Sequence, residues 1–227
     1  MATKYSPKTV TNGLVLSLDA ANNKSYPRSG TTWTDLSGNN YTGTLTNGPT
    51  FSAANLGSIV FDGTNDYVGV PTTGLINTAI SADIWFYLTS TKLYNSLIGS
   101  NATEKYEMLI KNNGTDLEVS LSPNNLMQYN NVIPLNNWTN ITMTAVSGIQ
   151  WKLYKNGVYL GAPTSFSGTW QVSGTSITSF DIGRIRNNSL GTFVFSGYIS
   201  IVKIYNRVLT AAEVLQNYNA TKSRFGL

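Results

Sequence analysis

Two pairs of acidic residues have the close spacing that acid–base chemistry on a sugar would need. Asp116 and Glu118 alternate onto one face of a predicted strand, and Glu104 lies three residues before Glu107. Retaining enzymes that cleave glycosidic bonds hold two carboxylates about 5 Å apart. Neither pair lies at the centre of an apolar strand, where burial would raise the pKa of a carboxyl group. We therefore expect both pairs to be solvated surface residues.

The composition lacks the other common catalytic side chains. The 227 residues include no His and no Cys. The missing His removes the usual general base, and the missing Cys removes thiolate nucleophiles, thiolate metal sites and disulfides. On these grounds the sequence predicts a protein that is not an enzyme.

Turns that carry acidic residues offer the ligands that calcium prefers. Carboxylates, side-chain amides and backbone carbonyls bind this ion through oxygen. The alternative is that the same side chains close their turns by hydrogen bonds to the backbone. The candidate ligands are Asp19, Asp35, Asn39, Asp62 and Asp66. The sequence leaves both interpretations open and predicts calcium if a metal is bound.

Aromatic residues in or beside loops rich in Asn, Ser and Thr are candidates for binding a neutral sugar. Such a sugar is held by hydrogen bonds from amides and hydroxyls and by stacking on aromatic faces. Packing within the fold, or against a neighbouring subunit or another protein, is the alternative for these rings. The candidates are Trp33, Tyr94, Tyr129 and Trp170. Three further tryptophans lie on predicted strands, where packing is favoured: Trp85, Trp138 and Trp151.

The elements that must position these residues are short strands. Segments rich in β-branched and aromatic residues alternate with Gly, Asn and Pro turn signals along the chain. The clearest hairpin has Asn156 and Gly157 at its turn, and both tolerate the positive φ of a type I′ turn. Alternation also predicts that Ile84, Phe86 and Leu88 share one face. The pattern predicts an all-β, two-sheet antiparallel sandwich.

The chain ends in a strand followed by a helix. Residues 199–205 form a nearly continuous apolar run, which predicts a strand with little exposure on either face. Thr210 and Glu213 have the spacing of a capping box, so we expect one short C-terminal helix to begin there. No linker composition interrupts the chain. The sequence therefore predicts an N-terminal extension over residues 1–12 and one domain over residues 13–227.

The charge composition argues against nucleic acid as a partner. Charged residues make up 11% of the chain, and the net charge of +4 is scattered rather than clustered. No apolar run approaches the roughly 20 residues of a membrane span. The sequence also shows no Sec-type signal peptide. Asn, Thr, Ser and Gly fill the polar positions instead, as is typical of extracellular or particle-borne β proteins.

Several short motifs follow one another in order along nearly the whole chain. They occupy residues 5–7, 13–20, 25–27, 30–33, 35–39, 57–63, 66–68 and 204–210. In combination they resemble the laminin-G-like jelly-roll domains of the concanavalin A-like superfamily. The version they resemble most is the one found in structural proteins of tailed phages.

The resemblance implies a curved two-sheet jelly roll whose first and last strands lie close together. It also implies a role in adhesion, in glycan or protein binding, or in decoration of a particle. Hydrolases of the same superfamily carry a Glu-x-Asp-x-x-Glu strand motif, which this chain lacks.

The expected function is that of a module on the surface of a virion. Capsid or tail proteins would be its partners, and loops would bind a carbohydrate or a host surface. A homo-oligomer is compatible with this location. The alternative is a purely structural protein that cements the capsid or tail and has no glycan ligand.

Overall fold

The computed structural model describes residues 7–54, 56–71, 79–100, 107–111, 115–122, 125–146, 150–167, 179–187 and 191–227. The candidate residues Glu104 and Trp170 lie outside this described part of the chain.

Short strands make up most of the described residues. The first ten are β1 (Leu14–Asp19), β2 (Thr32–Trp33), β3 (Gly43–Thr46), β4 (Thr50–Ser52), β5 (Ser58–Asp62), β6 (Tyr67–Pro71), β7 (Ala79–Leu88), β8 (Tyr94–Ser100), β9 (Glu107–Lys111) and β10 (Asp116–Ser122). They are followed by β11 (Asn125–Tyr129), β12 (Trp138–Val146), β13 (Gln150–Lys155), β14 (Val158–Tyr159), β15 (Ser165–Ser167), β16 (Ser179–Ile182), β17 (Arg184–Asn187), β18 (Gly191–Val194) and β19 (Ser196–Tyr205). A helix, α1 (Ala211–Thr221), and a 3-10 turn (Lys222–Phe225) complete the described chain.

In the described residues these strands form two large antiparallel sheets and one separate hairpin. The eight-stranded sheet has the order β14-β13-β12-β7-β19-β5-β4, and β1 also pairs with β19. The nine-stranded sheet has the order β15-β11-β10-β9-β8-β16-β6-β3-β2. The hairpin consists of β17 and β18. The predicted all-β sandwich with one short C-terminal helix is confirmed.

The core lies between the two sheets and is built by alternation along the strands. Ile84, Phe86 and Leu88 of β7 are completely buried on one face, as the pattern predicts. Burial of such a side chain contributes about 1.5–3 kcal/mol relative to exposure. Ile141 and Leu153 face the same core from β12 and β13.

The terminal strand β19 is buried on both faces, as its apolar run predicts. It pairs with β7 on one side and with β5 and β1 on the other, so it has no free edge over most of its length. Val202 and Ile204 face the sandwich core. Ile201 and Tyr205 face the opposite way and are equally buried.

Helix α1 covers the outer face of the eight-stranded sheet. Its capping box is present, with the Thr210 hydroxyl accepting from the Glu213 amide at 3.2 Å. The ring of Trp85 lies on the outer face of β7 and stacks on Phe225 with a centroid separation of 4.0 Å. The Trp85 indole N–H donates to the Thr221 hydroxyl at 3.0 Å. These contacts attach the C-terminal segment to the sheet.

The described part of the predicted N-terminal extension packs against this helix. The Val10 amide donates to the Asn217 side chain at 2.9 Å, and the Tyr205 hydroxyl donates to the Val10 carbonyl at 3.0 Å. The first described residues therefore lie close to the C-terminal helix. Within the described residues, no helix has the length and apolar character needed to cross a bilayer.

Gly183 divides one run of strand-forming residues into two strands. The structure ends β16 at Ile182 and begins β17 at Arg184. Gly183 separates them with a φ of +81°, and a β-carbon there would lie 2.5 Å from the Phe61 ring. Glycine can adopt this left-handed conformation because it has no side chain, and the conformation changes the direction of the chain.

Candidate functional site

The outer faces of the two sheets carry different residues. Helix α1 covers one, whereas the outer face of the nine-stranded sheet carries charged and aromatic side chains next to the β17–β18 hairpin. We call this surface the polar face. It comprises Tyr67, Tyr94, Lys111, Asp116, Glu118, Gln128, Asp181, Arg184 and Phe193.

Asp116 and Glu118 lie on the polar face because their neighbours Leu117 and Val119 fill the core. The sequence-based expectation that these acids are solvated is wrong, since they are only 5% and 6% exposed. The Lys111 ammonium pairs with the Glu118 carboxylate. Such pairing offsets part of the cost of taking both charges out of water.

Asp116 is held by hydrogen bonds rather than left free for chemistry. Its Oδ1 accepts from the Asn131 amide at 2.8 Å, and its Oδ2 accepts from Gln128 Nε2 at 3.3 Å. Glu118 and Gln128 are directly opposite each other on β10 and β11. The result is a connected row of carboxylates and amides, the groups that hydrogen-bond to sugar hydroxyls.

A second cluster joins the sheet to the hairpin. Arg184 Nε and Nη2 donate to Asp181 Oδ2 at 2.9 and 2.6 Å. The Arg184 guanidinium carbon lies 3.1 Å from the centroid of the Tyr67 ring, as in a cation–π contact. Desolvation would raise the pKa of the Tyr67 hydroxyl, but a hydrogen bond with Thr46 and the charge of Arg184 outweigh it, so the pKa is lowered.

A glycine allows the hairpin to approach the sheet closely. Gly69 and Gly99 lie opposite Asp181 on its two neighbouring strands. A β-carbon on Gly99 would lie 2.6 Å from Cβ of Ile185 and 2.7 Å from the Arg184 carbonyl oxygen. A β-carbon on Gly69 would meet nothing closer than 3.6 Å. Gly99 is therefore the position where the hairpin rests on β8.

The aromatic part of the polar face is a stacked pair. The rings of Tyr94 and Phe193 have centroids 4.2 Å apart and an interplanar angle of 26°. Both side chains are half-buried. Tyr94 is directly opposite Lys111, so the pair adjoins the charged row. An aromatic surface beside hydrogen-bonding groups is the combination that a sugar requires.

Tyr94 is the sequence-predicted aromatic candidate that the structure brings to this face. Trp33 is completely buried in the core, and Tyr129 is 4% exposed. The Tyr129 hydroxyl donates to the Gly161 carbonyl at 2.9 Å, and burial raises its pKa to about 12. Their placement favours the packing alternative, because stacking on a sugar needs an exposed ring face. Trp170 lies outside the described residues.

The predicted calcium ligands do not meet in one place. Among the described residues, no three His, Cys, Asp or Glu side chains are grouped as a metal site would require. The carboxylate of Asp35 accepts four hydrogen bonds: from the Ser17, Ser37 and Tyr41 amides and the Ser37 hydroxyl. Asn39 donates to the Ser37 hydroxyl at 3.0 Å. This turn is closed in the way that the alternative interpretation predicts.

Asp19 and Asp62 lie near cationic groups of the chain itself, whereas Asp66 accepts a hydrogen bond from the Asp62 amide. Asp19 forms a two-bond pair with Arg224, at 2.8 and 2.7 Å. Beside Asp62, the Lys92 ammonium donates to the Gly63 carbonyl. Burial raises the pKa of Asp66, whereas the hydrogen bond from the Thr64 amide lowers that of Asp62. The turns that carry Asp19 and Asp62 fit calcium poorly, because a guanidinium or ammonium group already supplies positive charge there. Calcium binding stays a prediction.

Sequence reasoning missed most of the polar face. Tyr67, Lys111, Arg184 and Phe193 come from four different strands, and their proximity depends on strand order. The one available signal was the alternation in β10, which places Asp116 and Glu118 on one face. Nothing in the local sequence predicts that Gly183 turns Arg184 back onto the sheet.

The chain matches the family model described as the concanavalin A-like lectin/glucanases superfamily over residues 62–215. Comparison with curated protein sequences gives no significant match.

Solved structures with the same fold include carbohydrate complexes. Domain 4 of the extracellular arabinanase AbnA from Geobacillus stearothermophilus, in complex with arabinotriose, is 20% identical with a TM-score of 0.66, covering 90% of this chain and 98% of that one. Trypanosoma rangeli sialidase in complex with sialic acid is 16% identical with a TM-score of 0.68, covering 93% of this chain and 33% of the sialidase. The binding domain of botulinum neurotoxin DC in complex with SialylT is 14% identical with a TM-score of 0.66, covering 92% of this chain and 52% of that one.

These matches correct the expectation that the chain is not an enzyme. The arabinanase domain and the sialidase are parts of enzymes. At 20% and 16% identity, they show a shared fold and nothing finer. The conclusion drawn from the missing His and Cys is therefore wrong as it stands, because chains of this fold occur within enzymes.

The sandwich topology and the family match agree over more than half of the sequence. The chain belongs to the concanavalin A-like lectin/glucanase superfamily.

Proposed function

We propose that the chain binds a carbohydrate on the polar face and serves as an adhesive module on the surface of a virus particle. The observation that carries the binding part is the half-exposed Tyr94–Phe193 stack beside the Lys111–Glu118 pair. The sugar would stack against the aromatic edge, and the partly exposed Lys111 and Gln128 side chains would hydrogen-bond to its hydroxyls.

The three-dimensional comparisons support a carbohydrate as the class of ligand. The arabinanase domain is similar over nearly its whole length, and its structure contains arabinotriose. The sialidase structure contains sialic acid. Arabino-oligosaccharides are therefore the first ligands to try, with sialylated glycans as the second set.

A titration with purified protein tests the binding site. We expect Tyr94→Ala to weaken oligosaccharide binding about tenfold, which corresponds to about 1.4 kcal/mol of lost binding free energy. Tyr159→Ala is the matched control, because this tyrosine is exposed on the edge strand β14 of the other sheet. Failure to bind any glycan, with and without added calcium, would exclude the proposal. Equal losses in both variants would remove the polar face as the site.

The particle location is supported by the resemblance to phage structural proteins. It is also supported by the composition, in which charged residues make up only 11% of the chain and Asn, Thr, Ser and Gly fill the other polar positions. Mass spectrometry of purified virions from the source of the sequence tests it. We expect peptides of this chain to copurify with capsid or tail proteins, and their absence from virions would refute this part.

A structural cement protein is the second candidate, and one surface favours it. Val158, Tyr159 and Leu215 are 66%, 46% and 44% exposed. They lie close together, since Leu215 approaches Gly157 at the adjoining turn. Exposed apolar groups of this kind mark protein contacts. Burial of this patch against a neighbouring subunit in a particle map, with the polar face also covered, would favour this function over glycan binding.

A further inference from the structure

A lysine and an aspartate lie buried opposite each other on the outer face of the eight-stranded sheet. Lys203 of β19 pairs in register with Asp83 of β7, and they are 5% and 1% exposed. Lys203 Nζ lies 3.7 Å from Asp83 Oδ2. This separation is longer than the roughly 2.7–2.9 Å of a charge-assisted hydrogen bond.

These two atoms have no other partner in the described part of the chain. Lys203 Nζ and Asp83 Oδ2 are both fully buried and without a hydrogen-bond partner there. An ammonium and a carboxylate removed from water lose hydration that a contact of this length repays incompletely. A lysine amine that has given up its proton in such an environment is a nucleophile.

The other carboxylate oxygen is held by two donors. Asp83 Oδ1 accepts from Asn140 Nδ2 at 2.7 Å and from the Thr142 hydroxyl at 2.9 Å. Both distances fall within the range of about 2.7–3.1 Å expected for groups that stabilise a developing oxyanion. The side-chain carboxyl group of Asp83 is therefore polarised at Oδ1, while Lys203 Nζ lies beside Oδ2.

The surroundings exclude water from this pair. On the same face of the sheet, Trp85, Ile201 and Tyr205 are no more than 1% exposed. The C-terminal segment covers them, with Phe225 stacked on Trp85. Condensation that releases water is favoured where bulk water is excluded, because the reverse hydrolysis lacks its reactant.

We propose that Lys203 and Asp83 are the site of an intramolecular isopeptide bond. A proton passes from the Lys203 ammonium to Asp83 Oδ2, which gives the amine and the carboxylic acid. The amine nitrogen attacks Cγ of Asp83, and Asn140 and Thr142 stabilise the negative charge on Oδ1. A second proton moves from the nitrogen to Oδ2, the Cγ–Oδ2 bond breaks, and one water molecule leaves. The product is an amide between β19 and β7, with no change in oxidation state.

This bond would tie together the two central strands of the eight-stranded sheet. It would act independently of glycan binding, because the polar face lies on the opposite sheet. A covalent link between residues distant in sequence restricts the unfolded chain, so it stabilises a protein that has no cysteine for disulfides.

Intact-mass spectrometry of the purified full-length protein under denaturing conditions tests the proposal. We expect a mass lower than that of the sequence by one water molecule. Fragmentation of a protease digest should give one branched peptide that joins the segments containing Lys203 and Asp83. A wild-type mass equal to that of the sequence would overturn the proposal and leave a non-covalent ion pair.

Variants locate the bond. Lys203→Met and Asp83→Ala should each have the mass of their own sequence, whereas Lys152→Met, on the same sheet, should keep the deficit of one water. Loss of one ammonia instead would place the link on Asn140 and contradict the assignment to Asp83. The wild-type digest needs no variant, so the result stands even if a substitution prevents folding.

Discussion

Two glycines in one cross-strand row of the polar face differ in whether a β-carbon would fit. Gly69 and Gly99 flank Asp181 on the same face. Their surroundings differ, because the hairpin backbone rests on Gly99 and leaves Gly69 in ordinary contact. Sequence alone gives these glycines the same status, since each is one glycine within a strand.

We predict that Gly99→Ala destabilises the fold and displaces the hairpin. The added carbon would lie within 2.7 Å of the Arg184 carbonyl oxygen, which belongs to the backbone and cannot rotate away. Overpacking of this kind costs about 1–3 kcal/mol. Urea unfolding measures the loss of stability, and oligosaccharide titration measures the accompanying loss of binding.

Gly69→Ala is the matched control, with nearest neighbours at 3.6 and 3.8 Å. It should remain close to wild type in both measurements. If the two substitutions have equal effects, the hairpin does not rest on Gly99 as described.

Burial of Asp116 and Glu118 is a residue-scale feature that local sequence could not predict. Both acids alternate with core residues and so lie on the face that normally meets solvent. Their burial comes from partners on other elements: Lys111 on β9, Gln128 on β11 and the Asn131 amide beyond it.

At the scale of elements, the start of helix α1 is determined by neighbouring residues, whereas its position on the sheet depends on distant ones. Its capping box is contained within four residues, which is why the sequence predicts its start correctly. Its attachment depends on Trp85, more than a hundred residues earlier, whose ring stacks on Phe225. The strand pattern identified Trp85 as a packing residue but not the face on which it packs.

The cap makes the stability of this element depend on pH. Glu213 accepts from Arg207 Nη2 at 2.6 Å and from Nη1 at 2.9 Å. The hydrogen bonds from Arg207 lower the pKa of Glu213 from 4.5 to about 2. Because the folded pKa lies below the unfolded one, this stabilisation is present above about pH 5 and is lost as the pH falls toward 2.

We predict that Glu213→Gln lowers the free energy of unfolding at neutral pH by about 1 kcal/mol, a value discounted for partial exposure. The difference from wild type should shrink as the pH falls through 4 toward 2, because the wild-type carboxylate becomes protonated there. Urea unfolding at pH 7 and pH 3 measures both values. Thr210→Ala removes the cap hydroxyl but keeps the Arg207 pair, so it should retain most of the acid dependence. A difference between Glu213→Gln and wild type that does not change with pH would contradict this account.

For the whole molecule, the outer faces of the two sheets differ. The eight-stranded sheet contains β19, and helix α1 covers its outer face. The nine-stranded sheet leaves its outer face to the polar residues and the hairpin. This division follows from strand order, which brings β8, β16 and β6 together although they are far apart in sequence.

We predict that the fold does not depend on calcium. The turn acids are held by the chain: Asp35 by backbone amides and Asp19 by Arg224. Treatment with a chelator should leave the unfolding temperature unchanged, because these contacts form without a metal. Asp35→Asn should destabilise the protein by about 1–3 kcal/mol, with or without calcium, because buried donors lose their acceptor. A calcium-dependent rise in unfolding temperature that disappears in Asp66→Asn would instead establish the predicted metal site.

The sequence by itself determined the strand-rich class, the core-facing residues of β7, the buried terminal strand and the start of the helix. Each of these depends on alternation, residue type or spacing within a few positions, which local sterics and burial translate directly into structure. The tertiary structure alone decided which strands became neighbours, and so which side chains meet on the polar face and beneath the helix. Those meetings are long-range contacts, for which the chain carries no local signal: Arg184 reaches Tyr67 only because Gly183 turns the hairpin back onto the sheet.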